Sequence, residues 1–174
     1  RAFYRDNRTS NRLARRYRYR EGLCYTDFGG RQFNARWMPA GCLFDMAGPA
    51  ILVKGRRRAR RRRLLALLAV LNTTPTRILL NALNPSLHYQ VRDVRNLPLP
   101  PGFLDWEARL ARRARGLVQI TRALHLIVPG DPLHDAQLAA QPEAAARAAA
   151  LCEALRRGWD ELDELVCGLY GAPH

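Results

Sequence analysis

The chain has 174 residues, 48% of them hydrophobic, enough to bury one sizeable core or one core with a small helical appendage. Its apolar stretch at residues 64–71 is too short to cross a bilayer and no apolar run has signal-peptide flanks, so the expected setting is cytoplasmic with no membrane partner. The formal net charge of +14 arises entirely in the first third: residues 1–63 hold 18 basic side chains against four acids, whereas the remainder holds 11 of each. A field so concentrated favours a polyanion, because each neutralised phosphate releases condensed counterions. Coding bias explains the choice of Arg over Lys, but not why acids are missing from one third only.

Residues 1–20 carry eight Arg interleaved with Phe3, Tyr4, Tyr17 and Tyr19, a pattern that predicts a loop leading into a strand. A start at Arg1 rather than Met is what a piece of a longer cytosolic protein would show. Residues 23–28 then read as a strand, closed by Gly29-Gly30. Residues 31–37 alternate, with Phe33, Ala35 and Trp37 on a core face and Gln32, Asn34 and Arg36 on the other. Pro39-Ala40-Gly41 makes a turn, and residues 42–45 and 49–53 read as two further strands around Ala47-Gly48. The Arg run at 56–63, broken only by Ala59, leads into an apolar helix predicted over residues 61–71.

Thr74 is expected to cap a second helix, with Pro75 at its first position, running to residue 83 and ended by Asn84-Pro85. Residues 87–91 suit a short strand, Asp93 caps a turn, and Pro98-Leu99-Pro100-Pro101 forms a rigid connector. From there the chain reads as helix. Residues 103–126 form one long amphipathic helix despite Gly116, residues 129–135 a loop, and Pro142 opens a helix over 143–157. Gly158 separates it from a last helix over 159–170, whose Trp159, Leu162, Leu165, Val166 and Leu169 share a face expected to pack on residues 104–126. The predicted fold class is α+β: a small twisted, mainly antiparallel sheet with packed helices, followed by a helical C-terminal segment. The predicted division is residues 1–101, basic, and residues 102–174, helical.

Little in this pattern suits catalysis. Cys24, Cys42, Cys152 and Cys167 show neither C-x-x-C pairing nor His at zinc spacing, so buried free thiols and no metal site are expected. His88, His125, His134 and His174 lack carboxylate or thiol partners at useful spacing, and no catalytic residue is assigned. Binding residues are easier to find. Arg31, Gln32, Asn34 and Arg36 lie on the outward face of one strand, where Arg can pair with guanine edges and Asn or Gln with adenine. Solvated polar positions opposite a core face are the alternative. Lys54, Arg56, Arg57, Arg58, Arg60, Arg61, Arg62 and Arg63 suit phosphate contacts, which position a protein on DNA without specifying sequence. Their alternative is a solvated flank of a helix, although arginines in a first turn oppose the helix dipole. Phe33, Trp37, Phe44 and Tyr89 read as core packing in preference to base stacking.

Three blocks together resemble a known family. Arg20-Glu21-Gly22-Leu23-Cys24-Tyr25 followed by residues 33–51 (Phe-Asn-Ala-Arg-Trp through Gly-Pro-Ala-Ile) is the first. The second is the leucine-rich run 64–72 followed by Asn84-Pro85, Tyr89-Gln90-Val91, Asp93-Val94 and Asn96-Leu97-Pro98-Leu99-Pro100. The third is the tail from Trp159 to Leu169-Tyr170-Gly171. In this order they resemble the target-recognition and C-terminal region of the PglX family of phage-exclusion (BREX) adenine-specific DNA methyltransferases, and more loosely that of fused type II restriction–modification methylases. Asn72-Thr73 stands where the family has Asn-Ser, and Arg92 where it has Gly. The resemblance implies a part that selects the DNA site, joined to a preceding methylase domain that uses S-adenosylmethionine to methylate adenine N6. It implies double-stranded DNA and that methylase domain as partners. The chain itself lacks the glycine turn of an S-adenosylmethionine pocket and the Asn-Pro-Pro-Tyr/Phe loop that holds a flipped adenine. Asn84-Pro85-Ser86-Leu87 lacks both the second proline and the aromatic. No cofactor and no catalysis are therefore expected of this fragment alone. The rival is a free-standing basic nucleic-acid-binding protein without enzymatic activity, and a third possibility is a decayed coding remnant.

Overall fold

The computed structural model describes residues 14–28, 33–45, 47–129 and 133–171, which form three short strands, six α-helices and one 3-10 turn (Arg15–Tyr17). Strands β1 (Gly22–Tyr25), β2 (Ala35–Met38) and β3 (Ala50–Ile51) form an antiparallel sheet in the order β2-β1-β3. Leu23, Tyr25 and Ala35 turn inward and are buried, while Arg36 faces solvent. Gly22 is required by closeness: a Cβ there would lie 2.7 Å from the Ile51 carbonyl oxygen. Trp37 is only half-buried, on the core face as expected but at its edge.

The expected strand over 42–45 does not form. Asp45 Oδ1 instead accepts from the backbone N–H groups of Ala47 (3.0 Å) and Gly48 (2.9 Å), a local turn that competes with strand pairing. The strand expected at 87–91 shrinks to a single bridge between Phe28 and His88. Its continuation is lost because Gln90 and Asp93 form a capping box that starts helix α3 (Val91–Asn96).

Helix α1 (Arg57–Leu71) starts inside the arginine run, four residues earlier than the leucines suggest. Leu64, Leu65, Ala66, Leu68, Ala69, Val70 and Leu71 are all buried, the mark of a helix covered on nearly every side. The Asn72 carboxamide locks its end to the sheet. Its Oδ1 accepts from Ala35 N–H (2.8 Å) and its Nδ2 donates to the carbonyls of Ala35 (3.0 Å) and Leu68 (3.1 Å). Helix α2 (Thr74–Leu83) follows at once, with Pro75 in its first turn. Thr74 is not its cap, as the sequence suggested. Thr73 takes that position and spends its hydroxyl on Val70 O, and the Thr74 N–H is satisfied by Asp163 Oδ1 at 2.5 Å.

Helix α4 (Phe103–Ile127) packs most extensively on α1 and next on the long α6 (Ala144–Tyr170), with the one-turn α5 (Ala136–Ala139) between them in sequence. The break expected at Gly158 is absent. This glycine lies within α6 against α4: a Cβ would come 2.5 Å from Leu117 Cδ2, so glycine sets the approach of the two helices, not a helix end. Leu162 and Val166 are fully buried there, as the shared apolar face predicted. Full burial of Leu64, Leu110 and Leu162 contributes about 2 kcal/mol each. One buried cluster runs from Leu23 to Val166 and crosses the 101/102 boundary without a gap. The four cysteines are free as expected, but Cys152 is exposed and Cys24, Cys42 and Cys167 are half-buried. Among the described residues no single helix is long and apolar enough to cross a membrane.

Candidate nucleic-acid interface

The arginine run divides by what each side chain touches. Arg56 is the N-cap of α1 and makes no side-chain cap hydrogen bond, and no acid occupies the first turn. The first N–H donors of the helix thus have no side-chain acceptor, and the guanidinium groups of exposed Arg56, Arg57 and Arg58 have no ion-pair partner among the described residues. Arg60 is half-buried, and its buried Nε has no hydrogen-bond partner. Arg61 is held between Glu21 (3.6 Å) and the Trp37 ring, whose centroid lies 5.6 Å from its guanidinium carbon. Arg62 and Arg63 both turn to one carboxylate, with Nε–Oε distances to Glu107 of 2.5 and 2.9 Å.

Glu107 is only 3% exposed, in the second turn of α4. Burial pushes its pKa up, but the hydrogen bonds and charges of Arg62 and Arg63 outweigh that, and the carboxyl titrates below the ordinary range. This clasp fixes α4 beside the start of α1. Sequence reasoning missed it, because the partners lie 45 and 44 residues apart. Seven arginines offered for phosphate contact therefore reduce to three open ones, one half-buried and three committed to carboxylates of this chain.

The strand residues follow a similar division. Asn34, just before β2, is exposed, and Arg36 is exposed on the outward face of the sheet, where it donates to Thr26 Oγ1 at 3.3 Å. Arg31 and Gln32 lie outside the described residues. Lys54 is exposed just past β3, where Arg20 donates to Val53 O at 3.3 Å, so the basic end of β1 and the approach to α1 are neighbours. A shallow groove of about 470 Å³ crosses the outward face, lined among others by Cys24, Arg36, Trp37, Cys42 and Phe44. Burial pushes the Cys24 thiol up against the opposing influence of Arg36, so the thiol stays protonated and is a poor nucleophile. Phe33 and Tyr89 are buried, their rings edge to face at 5.2 Å, whereas Phe44 lines the groove half-buried.

The polar side chains around Asn84 are engaged within the chain. Asn84 Nδ2 donates to His88 O (2.9 Å) and Asp93 Oδ2 (2.6 Å), and its Oδ1 accepts from Ser86 N–H (3.0 Å). Such a carboxamide has no free edge for a base. His88 has a partner the sequence could not show, Asp27 Oδ2 at 3.2 Å from Nδ1, 61 residues away. Among the described residues no cluster of three or more His, Cys, Asp or Glu could hold a metal ion. Among the described residues the sheet is antiparallel throughout. No protein-family model and no curated protein matches the chain.

Proposed function

We propose that the chain binds double-stranded DNA, and that it does so as the target-recognition part of an adenine-N6 DNA methyltransferase of the phage-exclusion or restriction–modification kind. The observation that carries the DNA reading is the start of α1. Arg56, Arg57 and Arg58 stand unpaired around an uncapped helix N-terminus, where they repel both one another and the positive end of the dipole. A phosphate group reverses that balance, since it meets three guanidinium groups and the open N–H donors together. Exposed Asn34, just before β2, and Arg36 on its outward face supply side chains able to read base edges.

The methyltransferase reading rests on the resemblance of the three blocks. It is supported by the way their residues cooperate here: Asn72 ties helix to sheet, Asn84 and Asp93 bind each other, and the tail helix caps α2 through Asp163. In this reading the fragment selects the site, and S-adenosylmethionine and the adenine pocket belong to the methylase domain. Titration of a fluorescent duplex across a salt series tests the DNA reading. Arg56→Ser/Arg57→Ser/Arg58→Ser should make the slope of log K against log[salt] shallower by about 2–3 units. An unchanged slope removes these residues from the interface. An in-frame Asn-Pro-Pro-Tyr upstream of Arg1 would favour the methyltransferase role, and a start codon immediately before it the free-standing binder.

A further inference from the structure

Helix α4 carries a second basic track that the charge count along the chain conceals. Ala108, Arg112, Arg115, Gln119 and Arg122 are all exposed, and their spacing of three and four residues puts them on one strip of the helix. At 100° per residue this strip borders the buried Glu107–Ala111–Ala114 side. Arg63 meets Glu107 on that side, so the first turns of α4 lie beside the end of the arginine-rich run of α1.

Nothing within the helix explains three arginines there. The positions three and four residues away from Arg112, Arg115 and Arg122 hold no acid, so the stabilising ion pairs of a solvated helix are absent. Arg109, Arg112 and Arg115 follow one another at intervals of three and repel. Their neighbours are otherwise engaged: Arg113 pairs with Glu161 at 2.5 Å and Arg109 lies over the Trp106 ring. No ion pair of Arg112, Arg115 or Arg122 exists among the described residues, and the strip's one acid is Asp105 at its start. The exposed acids Asp160, Glu161 and Glu164 lie on α6.

We infer that Arg112, Arg115 and Arg122 form a second line of phosphate contacts to the same duplex, an inference that rests on the duplex reading of Arg56–Arg58. From Glu107 to Arg122 the helix rises about 22 Å, matching about six base pairs of DNA. The Glu107 clasp ties the helix that carries this line to the end of the arginine run of α1. The uninterrupted hydrophobic cluster beneath them makes the C-terminal helical segment part of the DNA-facing surface, not an appendage behind it.

The test uses the whole 174-residue chain and a fluorescent 20-base-pair duplex, with affinity measured over a salt series. Arg112→Ala/Arg115→Ala/Arg122→Ala should make the log–log salt slope shallower by about 2–3 units. The matched Lys triple should restore the slope, since charge is kept. A control of equal charge, Arg77→Ala/Arg92→Ala/Arg95→Ala, should change it by less than about 1 unit. Equal losses from the helix α4 triple and the control, or no loss from the α4 triple, overturn the inference while leaving duplex binding by Arg56–Arg58 intact. A wild-type chain that binds no duplex at low salt overturns the duplex reading, and this inference with it.

Discussion

Glu107 joins the basic run to the helical segment, and its chemistry sets how the fold responds to acid. Its carboxyl titrates below the ordinary glutamate value of 4.5 when folded, so it binds a proton less readily than in the unfolded chain. The resulting stabilisation is complete above about pH 4.5 and drains away as the pH falls through the folded value. Glu107→Gln should cost about 1–3 kcal/mol at neutral pH, moderated because Arg62 and Arg63 are half exposed and can rehydrate. It should also flatten the loss of stability as the pH falls below about 4.5, measured by urea unfolding at each pH. A variant with the same acid limb as the wild type would remove Glu107 from that role. Gly158 makes a second residue-scale case. Helix propensity alone would reward Gly158→Ala by about 1 kcal/mol, but the methyl would press on buried Leu117. The expected result is a lower melting temperature, and a higher one would show that α4 and α6 can part without strain.

At the scale of elements, α1 sets stability against binding. Its first turn has no acid and no side-chain cap, a choice that weakens the helix. Arg57→Glu/Arg58→Glu should therefore stabilise the fold by about 1 kcal/mol, or about 2–4 °C in melting temperature, while abolishing duplex binding. Stabilisation with binding retained would place the interface elsewhere. Sequence reading succeeded where local pattern decides: the leucines of α1, the amphipathic α4 and the alternation of Phe33, Asn34, Ala35 and Arg36 each report their own burial. It failed where distant partners decide. Asp163 caps Thr74 from 89 residues away, and the Arg62–Glu107 pair closes a loop of 45. Neither has a local signature. Residues 42–45 and 87–91 had apolar strand composition, yet the hydrogen bonds of Asp45 and of the Gln90–Asp93 capping box won over pairing.

On the scale of the whole molecule, a sheet of three short strands is too small to stand alone, and α1 connects it to the helices through one continuous core. That core brings the arginine-rich turn of α1 and the exposed strip of α4 into one body, while Asp160, Glu161 and Glu164 are exposed on α6. Charge that looked confined to the first third of the sequence thus continues onto the helical segment in the folded chain. The direct test of this account is the salt dependence of duplex binding by the unmodified chain. Six arginines on phosphates predict a slope of log K against log[salt] of about −5. A slope shallower than about −1, or no measurable binding at low salt, would contradict it.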